Sequence, residues 1–328
     1  MKILFSFFAV VVLVLLPFIG VKANMHFLFA VVVPYIAVFT FLVGFLYRVL
    51  KWGSSAVPFR IPTTSGQQKS LPWIKQSKIE SPSSTMGVVI RMALEVLLFR
   101  SLFRNLKTQL KGDKLVYGEA KWLWLAGLAF HWSFLIIFIR HFRFFMQEVP
   151  FVIKKIEVLD TFFQVGVPLL YITDVVILTA VTYLFIRRVF IPQVKYISLA
   201  SDYFPLFLIF GIAATGVLMR YFFKVHIVGV KELVMGLVTF NPKIPEGIGS
   251  LFYVHLFLVS VLLAYFPFSK LMHMGGVFLS PTRNLSNNSR MARHVNPWNY
   301  DVEVHTYAQY EDEFRDKMKK AGIPVEKE

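Results

Sequence analysis

Six stretches of this 328-residue chain are apolar for long enough to cross a bilayer: residues 3–21, 26–48, 119–143, 161–186, 202–223 and 248–271. A hydrocarbon layer about 30 Å thick takes roughly 20 residues of helix. No water is available there to satisfy a peptide group, so a spanning segment must be a helix or part of a closed barrel. Continuous apolar runs, rather than alternating ones, specify helices. The fold expected is therefore all-α, a polytopic membrane bundle of about six transmembrane helices. A hydrophobic content of 56% and a mean hydropathy of +0.60 agree with this.

The formal net charge of +16 would suggest a nucleic-acid partner in a soluble protein. Here it sorts by topology instead. With the N-terminus in the cytoplasm, most of the 35 lysines and arginines fall in the start, the 49–118 loop, the 187–200 link and the tail. The opposite face holds few, and such an asymmetry is how cytoplasmic loops are recognised. Both termini are thus expected in the cytoplasm and the protein in the inner (cytoplasmic) membrane, with no nucleic-acid role. A cleaved leader is the rival reading of the first stretch, from Lys2, its apolar core and Val21-Lys22-Ala23. The chain contains no cysteine, which excludes disulfides, thiolate catalysis, cysteine-held iron–sulfur clusters and covalently attached haem c.

The organisation expected is two N-terminal membrane helices over 1–48, a cytoplasmic loop over 49–118, a four-helix membrane core over 119–274 and a cytoplasmic tail over 275–328. Within the loop, Phe59 to Ser70 is rich in Pro, Ser and Thr and reads as extended docking chain. Met86 to Leu106 interleaves Arg91, Arg100 and Arg104 with apolar residues, which predicts one amphipathic helix at the membrane face. The tail is too small for an enzymatic domain. Its Asn296-Pro297-Trp298-Asn299-Tyr300 segment reads as chain ordered by a partner.

Four histidines lie inside the apolar segments, where an imidazole is costly and tends to line a cavity or bind a metal. His131 and His141 are ten residues apart on the third span, about 15 Å of rise, while His255 and His273 are eighteen apart on the sixth, about 27 Å. The two helices run in opposite senses, so equal depth pairs His141 with His255 and His131 with His273. These pairs are the candidate axial ligands of two stacked haems. The two separations differ by about 12 Å on ideal helices, and Pro267 is the expected kink that absorbs the difference. Gly127, Gly211, Ala213, Ala214 and Gly216 would let a bulky macrocycle approach.

The ten- and eighteen-residue histidine spacings resemble those of the nitrate reductase gamma-subunit family of dihaem cytochromes b. So do IPTTSGQQKSLPWIK from Ile61, KLVYGEAKWLWLAGLAFHWSF from Lys114 and HMGGVFLSPTRN from His273, and the similarity covers essentially the whole chain. The resemblance implies two haem b groups and menaquinone as substrate. It also implies a cytoplasmic iron–sulfur partner of heterodisulfide-reductase type, other subunits of a complex, and a place in dissimilatory sulfur metabolism. The family core has five helices, so the first helix here is a departure.

Anionic haem propionates need cations at the membrane edge, and Arg140, Arg143 and Arg220 are the candidates. Quinol oxidation needs a titratable group beside a haem, and Lys154, Lys155 and Asp160 are the quinone-site candidates. Asp174, inside the fourth span, has a proton path or structural pairing as its two readings. A secondary transporter or a passive membrane anchor would be the competing classes. The first predicts paired repeats, which the chain lacks, and the second leaves the four histidines unexplained.

Overall fold

The structure, a computed structural model, describes residues 1–57, 66–104, 106–163, 169–292, 301 and 303–327. The 59–65 portion of the extended loop segment and the Asn296 to Tyr300 segment lie outside the described residues.

Two long apolar helices open the chain, α1 (Lys2–Lys22) and α2 (Leu28–Gly53, π-helical over Leu28–Val32). Their turn brings them close enough that a Cβ on Gly20 would lie 2.2 Å from the Phe29 ring. Next comes α3 (Thr85–Leu98), which starts where the Ser84 hydroxyl accepts the Gly87 N–H at 3.2 Å. It stops at Phe99, whose backbone is left-handed (φ 48°, ψ 45°). A single turn, α4 (Arg100–Arg104), leads to an antiparallel hairpin of β1 (Leu106–Lys111) and β2 (Lys114–Glu119). The one amphipathic helix expected over Met86–Leu106 is thus two helices and the start of a strand. The Gly112-Asp113 turn, with Gly112 at φ 59°, closes the hairpin that ends it.

The histidine-bearing α5 (Lys121–His141) runs on into a 3-10 turn at Phe142–Phe144. After α6 (Phe151–Asp160), the fourth expected span departs from the sequence reading. Its first ten residues begin as β3 (Thr161–Phe163), which pairs with β4 (Leu170–Tyr171), and helix α7 covers Ile172–Phe190. Asp160 sets that start, because its carboxylate accepts the Thr173 N–H at 2.9 Å and caps the first turn. With Asp174, Arg187 and Arg188, α7 is more charged than a free span, and among the described residues five helices rather than six are long and apolar enough to cross a membrane by themselves. The helix is instead sheltered between α5 and a later helix, α9.

The short α8 (Pro192–Ile197) precedes α9 (Ala200–Tyr221), and α10 (Ile227–Val238) leads to α11 (Ser250–Tyr265). The last expected span is broken at the proline. Two 3-10 turns, Phe266–Phe268 and Lys270–Met272, flank an extended Ser269, and α12 (His273–Leu279) follows. Arg48 of α2 donates to the Pro267 carbonyl at 3.0 Å, and the Ser269 hydroxyl accepts the Leu271 N–H at 3.1 Å, so the break is satisfied on both sides. The chain ends with α13 (Pro281–Asn284) and a polar α14 (Tyr307–Lys320), where Glu311 gathers the N–H groups of Glu326 and Lys327 at 2.7 and 2.9 Å.

In the bundle, α1 packs on α9 and α11, α2 on α11, α9 on α11, and α7 between α5 and α9. The additional first helix is part of the core: Val10 is buried with Leu208, Val254 and Leu258, and Lys2 donates to the Ser198 carbonyl at 2.9 Å. Apolar residues such as Phe8, Phe39 and Phe138 face outward, as a bundle solvated by lipid requires. Among the described residues α5 and α11 share no comparable packing. They face one another across a gap that closes the ring α5–α7–α9–α11.

At the end of the bundle where α2 stops and α5 starts, residues 66–104 and 280–291 are knitted together. Arg91 donates to the carbonyls of Glu80 (3.3 Å), Thr282 (3.3 Å), Leu285 (3.1 Å) and Arg283. Arg283 in turn pairs with Glu95, and the Asn287 N–H donates to Pro82 O at 2.7 Å. Glu80 holds Arg100 and Arg104 at 2.9 and 2.5 Å. These arginines are paired within the protein, to carbonyls and carboxylates, although Arg91 Nε and Arg100 Nε are buried without a hydrogen-bond partner.

Candidate functional site

Each of the four candidate ligand histidines has its Nδ1 engaged. His131 bonds Gly127 O at 2.7 Å, His141 bonds Ile137 O at 2.7 Å, and His273 bonds Lys270 O at 2.8 Å. A carbonyl only accepts, so these three Nδ1 atoms carry the hydrogen and the Nε2 lone pair is left free. His255 reaches the same state by another route. Its Nδ1 lies 2.9 Å from Thr215 Oγ1, whose own hydrogen is within reach of Gly211 O at 2.8 Å and Ile212 O at 3.0 Å. The hydroxyl has one proton to give, so with that proton on a carbonyl it accepts from Nδ1–H. A neutral imidazole with its far nitrogen donated to a fixed acceptor is the arrangement of a metal-ligating histidine.

The structure brings His141 to His255, ring centres 6.4 Å apart, and His131 to His273, ring centres 5.9 Å apart. Imidazole nitrogen binds a metal at about 2.1 Å and lies roughly 1 Å from its own ring centre, so two imidazoles on opposite sides of one metal place their centres on the order of 6 Å apart. Both pairs have this spacing, in the gap between α5 and the α11–α12 limb. His131, His141 and His273 are exposed, leaving open space beside the ligands for a planar group. Gly216 lies against the His255 ring, where a Cβ would sit 3.4 Å from Cε1. Among the described residues no three His, Asp or Glu converge as they would around a bare ion. Two pairs suit a metal that arrives with its equatorial ligands already in place, and the residues present fit haem.

Beside the His141–His255 pair lies a charged cluster. Arg140, next in sequence to His141, donates to Asp160 at 2.6 Å and to Thr173 Oγ1 at 3.2 Å, and lies 3.9 Å from Asp174. Its guanidinium covers one part of the Tyr171 ring at 3.3 Å, and that of Arg220 covers it at 4.0 Å. Arg220 also donates to Leu169 O at 3.2 Å. The Tyr221 hydroxyl donates to Asp174 at 2.8 Å and accepts the Tyr171 N–H at 3.1 Å. Arg140 Nε is buried with no hydrogen-bond partner, an unsatisfied donor that an anionic group would satisfy. Arg143 pairs with Glu157 at 2.7 Å. Of the quinone-site candidates, Asp160 is buried in this cluster, whereas Lys154 and Lys155 are exposed on α6.

The other histidines are of a different kind. His226 Nδ1 accepts the Gly229 N–H as a helix cap, His26 lies edge-on to Tyr253, and His305 is exposed. His294 lies outside the described residues. Sequence reasoning passed over Thr215, Tyr171, Tyr221 and Phe99. Only Thr215 carried a usable signal, a lone hydroxyl among the small residues of α9 already singled out.

Comparison with known proteins gives a consistent picture. The family model described as "Nitrate reductase gamma subunit" matches residues 88–294, which include all four histidines. A protein of Archaeoglobus fulgidus described as "Hdr-like menaquinol oxidoreductase cytochrome b-like subunit" is 46% identical over 278 residues, covering 83% of each chain. Its namesake in Archaeoglobus profundus is 43% identical over 279 residues, covering 83% of this chain and 82% of its own.

Proposed function

This chain belongs to the nitrate reductase gamma-subunit family, and we propose that it is a dihaem cytochrome b that carries electrons from menaquinol to a cytoplasmic iron–sulfur subunit. The observation that carries this reading is the pair of histidine pairs, each with both Nδ1 atoms occupied and a metal-sized interval between the rings. His141 and His255 would hold the outer haem, and His131 and His273 the inner. The relatives' names supply the menaquinol and the likeness to heterodisulfide reductase, and the sequence resemblance supplies the finer assignment. On that assignment the chain is a DsrM-type subunit of a DsrMKJOP complex of dissimilatory sulfur metabolism, and a DsrK-type protein is its partner. The loop side of the bundle, rich in Lys and Arg, is cytoplasmic, with both chain termini on it.

When bound, haem supplies one-electron chemistry. The chain's own residues do the rest. The four imidazoles, each fixed at Nδ1, would hold two such groups. At the outer end Arg140, with its unpartnered Nε, and Arg143 and Arg220 would hold the propionates. Oxidising a quinol also releases two protons, and the Asp174 carboxylate, reached through the Tyr221 hydroxyl that donates to it, offers a first acceptor at that end. Asp160 is tied to Arg140 and Thr173, so its part is to fix Arg140, while Lys154 and Lys155 lie at the exposed edge where protons leave. The knitted 66–104 and 280–291 segments form the surface on which the iron–sulfur partner docks beside the inner pair.

Purified protein reduced with dithionite should show the α and Soret bands of haem b, with two haems per chain. Each of His131→Ala, His141→Ala, His255→Ala and His273→Ala should lower that count to one. A spectrum without haem bands would leave an anchor or transporter as the reading, and two haems in every variant would refute the ligand assignment.

A further inference from the structure

Phe99, between α3 and α4, sets its ring against the haem-ligand candidate His131, and its backbone is in a conformation that phenylalanine rarely adopts. Two tryptophans on α5, on either side of His131 in sequence, hold it there. Trp132 Nε1 donates to Leu97 O at 3.0 Å and Trp124 Nε1 to Leu98 O at 2.7 Å, taking carbonyls that the end of a helix leaves free. The Phe99 ring consequently stands edge-on to His131 at 4.9 Å and 89°, and Phe130 does the same at 5.0 Å and 90°. Both rings therefore lie in contact with the His131 imidazole and perpendicular to it. The segment that carries Phe99 is also tied to α13, because Glu95 pairs with Arg283.

The two histidine pairs differ in how their planes meet. His131 and His273 are crossed at 81°, whereas His141 and His255 are nearly parallel at 16°. A flat imidazole acts on the iron d orbital selected by its own plane. Two parallel rings act on the same orbital and split the pair, while two crossed rings act on both alike and leave them close in energy. Axial-ligand geometry is one of the levers by which a protein tunes a haem.

We propose that Phe99 is a positioning residue for the inner site: held by the Trp124 and Trp132 caps, its ring fixes His131 crosswise to His273 and so makes the two haem sites electronically unlike. The inference rests on the dihaem reading. The wild-type protein, oxidised, should then give two low-spin electron paramagnetic resonance signals. One is strongly anisotropic with a very large principal g value and disappears in His131→Ala. The other is rhombic and disappears in His141→Ala.

Phe99→Asn deletes the ring but keeps a residue that tolerates the left-handed backbone. This variant should retain the rhombic signal and lose or shift the anisotropic one, and Phe99→Tyr should restore it. Loss of the inner haem alone in Phe99→Asn, with recovery in Phe99→Tyr, supports the same role. Two wild-type signals of one class, an unaltered inner signal in Phe99→Asn, or loss of both haems together would each overturn the proposal. Absence of haem from the wild-type protein would instead refute the reading on which it rests.

Discussion

His255 of α11 and Thr215 of α9 are bonded Nδ1 to Oγ1 at 2.9 Å across two helices, and this is the only one of the four imidazole bonds made to a side chain. The other three histidines use carbonyls three or four residues back on their own chain, which no substitution removes. The proposed His141–His255 haem site therefore has a supporting partner that can be altered without touching a proposed ligand.

Thr215→Val keeps the volume and removes the acceptor. Loss of such a supporting bond typically costs a metal site about 10–100-fold in affinity, so outer-haem retention should fall by about that factor while the inner haem stays. Thr215→Ser should behave as wild type. Haem content after competition with a high-affinity haem acceptor checks this, and equal retention in Thr215→Val would show that the bond is incidental.

Pro267 shows what could and could not be read from the chain. Histidine spacing on ideal helices left a mismatch of about 12 Å, and the proline marked where it would be absorbed. The structure breaks there and starts α12 at His273 itself. With Pro267→Ala, helix can propagate through 266–269 and carry His273 away from His131. The variant should bind the outer haem normally and the inner one at least several-fold less well, as read from haem stoichiometry. Normal occupancy of both sites would mean that Gly44 and Arg48, packed against this break, hold it without the proline.

The membrane helices and histidine positions were legible because apolar run length and the rise per residue are one-dimensional properties. What failed depended on contacts distant in sequence. Residues 161–186 read as one apolar span because nothing local shows that Asp160 caps a helix at Thr173. Met86 to Leu106 read as one helix because the left-handed Phe99 is held by tryptophans more than twenty residues away. Arg140 was placed at the correct end of α5, but its pairing with Asp160 crosses two elements that had been read as loop and span.

That pairing makes a stability prediction. Asp160 and Arg140 side chains are 2% and 12% exposed, and removing one partner from a buried pair leaves the other uncompensated, at about 3–5 kcal/mol. Arg140→Ala should lower the thermal midpoint in detergent well beyond Arg143→Ala, whose pair with Glu157 is half-exposed and worth about 1 kcal/mol or less. Equal midpoints would show that water or lipid headgroups compensate Asp160.

The knitted loop should loosen in acid. Burial disfavours the charged form of Glu95, but hydrogen bonds from Ser101 and the Arg283 guanidinium outweigh it and hold the carboxyl below the usual range. A depressed carboxyl stabilises the fold above its unfolded value, and that contribution is lost as pH falls through the folded value. Protease sensitivity between residues 80 and 104 should therefore rise below the ordinary carboxylate range. Glu95→Gln should be sensitive already at neutral pH and much less dependent on acid. A flat profile in the wild type would mean that Arg91 and its carbonyls hold the segment unaided.

In the proposed function, electrons enter beside the charged cluster. Arg140, Asp160, Asp174 and Tyr221 gather beside His141 and His255, whereas the inner pair is surrounded by Phe99, Phe130 and the knitted loop. A quinol loses two protons with its two electrons, so its oxidation belongs beside the groups that accept protons. Asp174→Asn should then slow reduction by a menaquinol analogue at least about tenfold, the lower part of the usual range for a lost acid–base group, while the dithionite-reduced spectrum stays unchanged. His255→Ala, lacking the outer haem, should block quinol-driven reduction of the inner haem altogether. Reduction of the inner haem at the wild-type rate in His255→Ala would put the quinone on the loop side, and the Tyr221–Asp174 pair would then be structural.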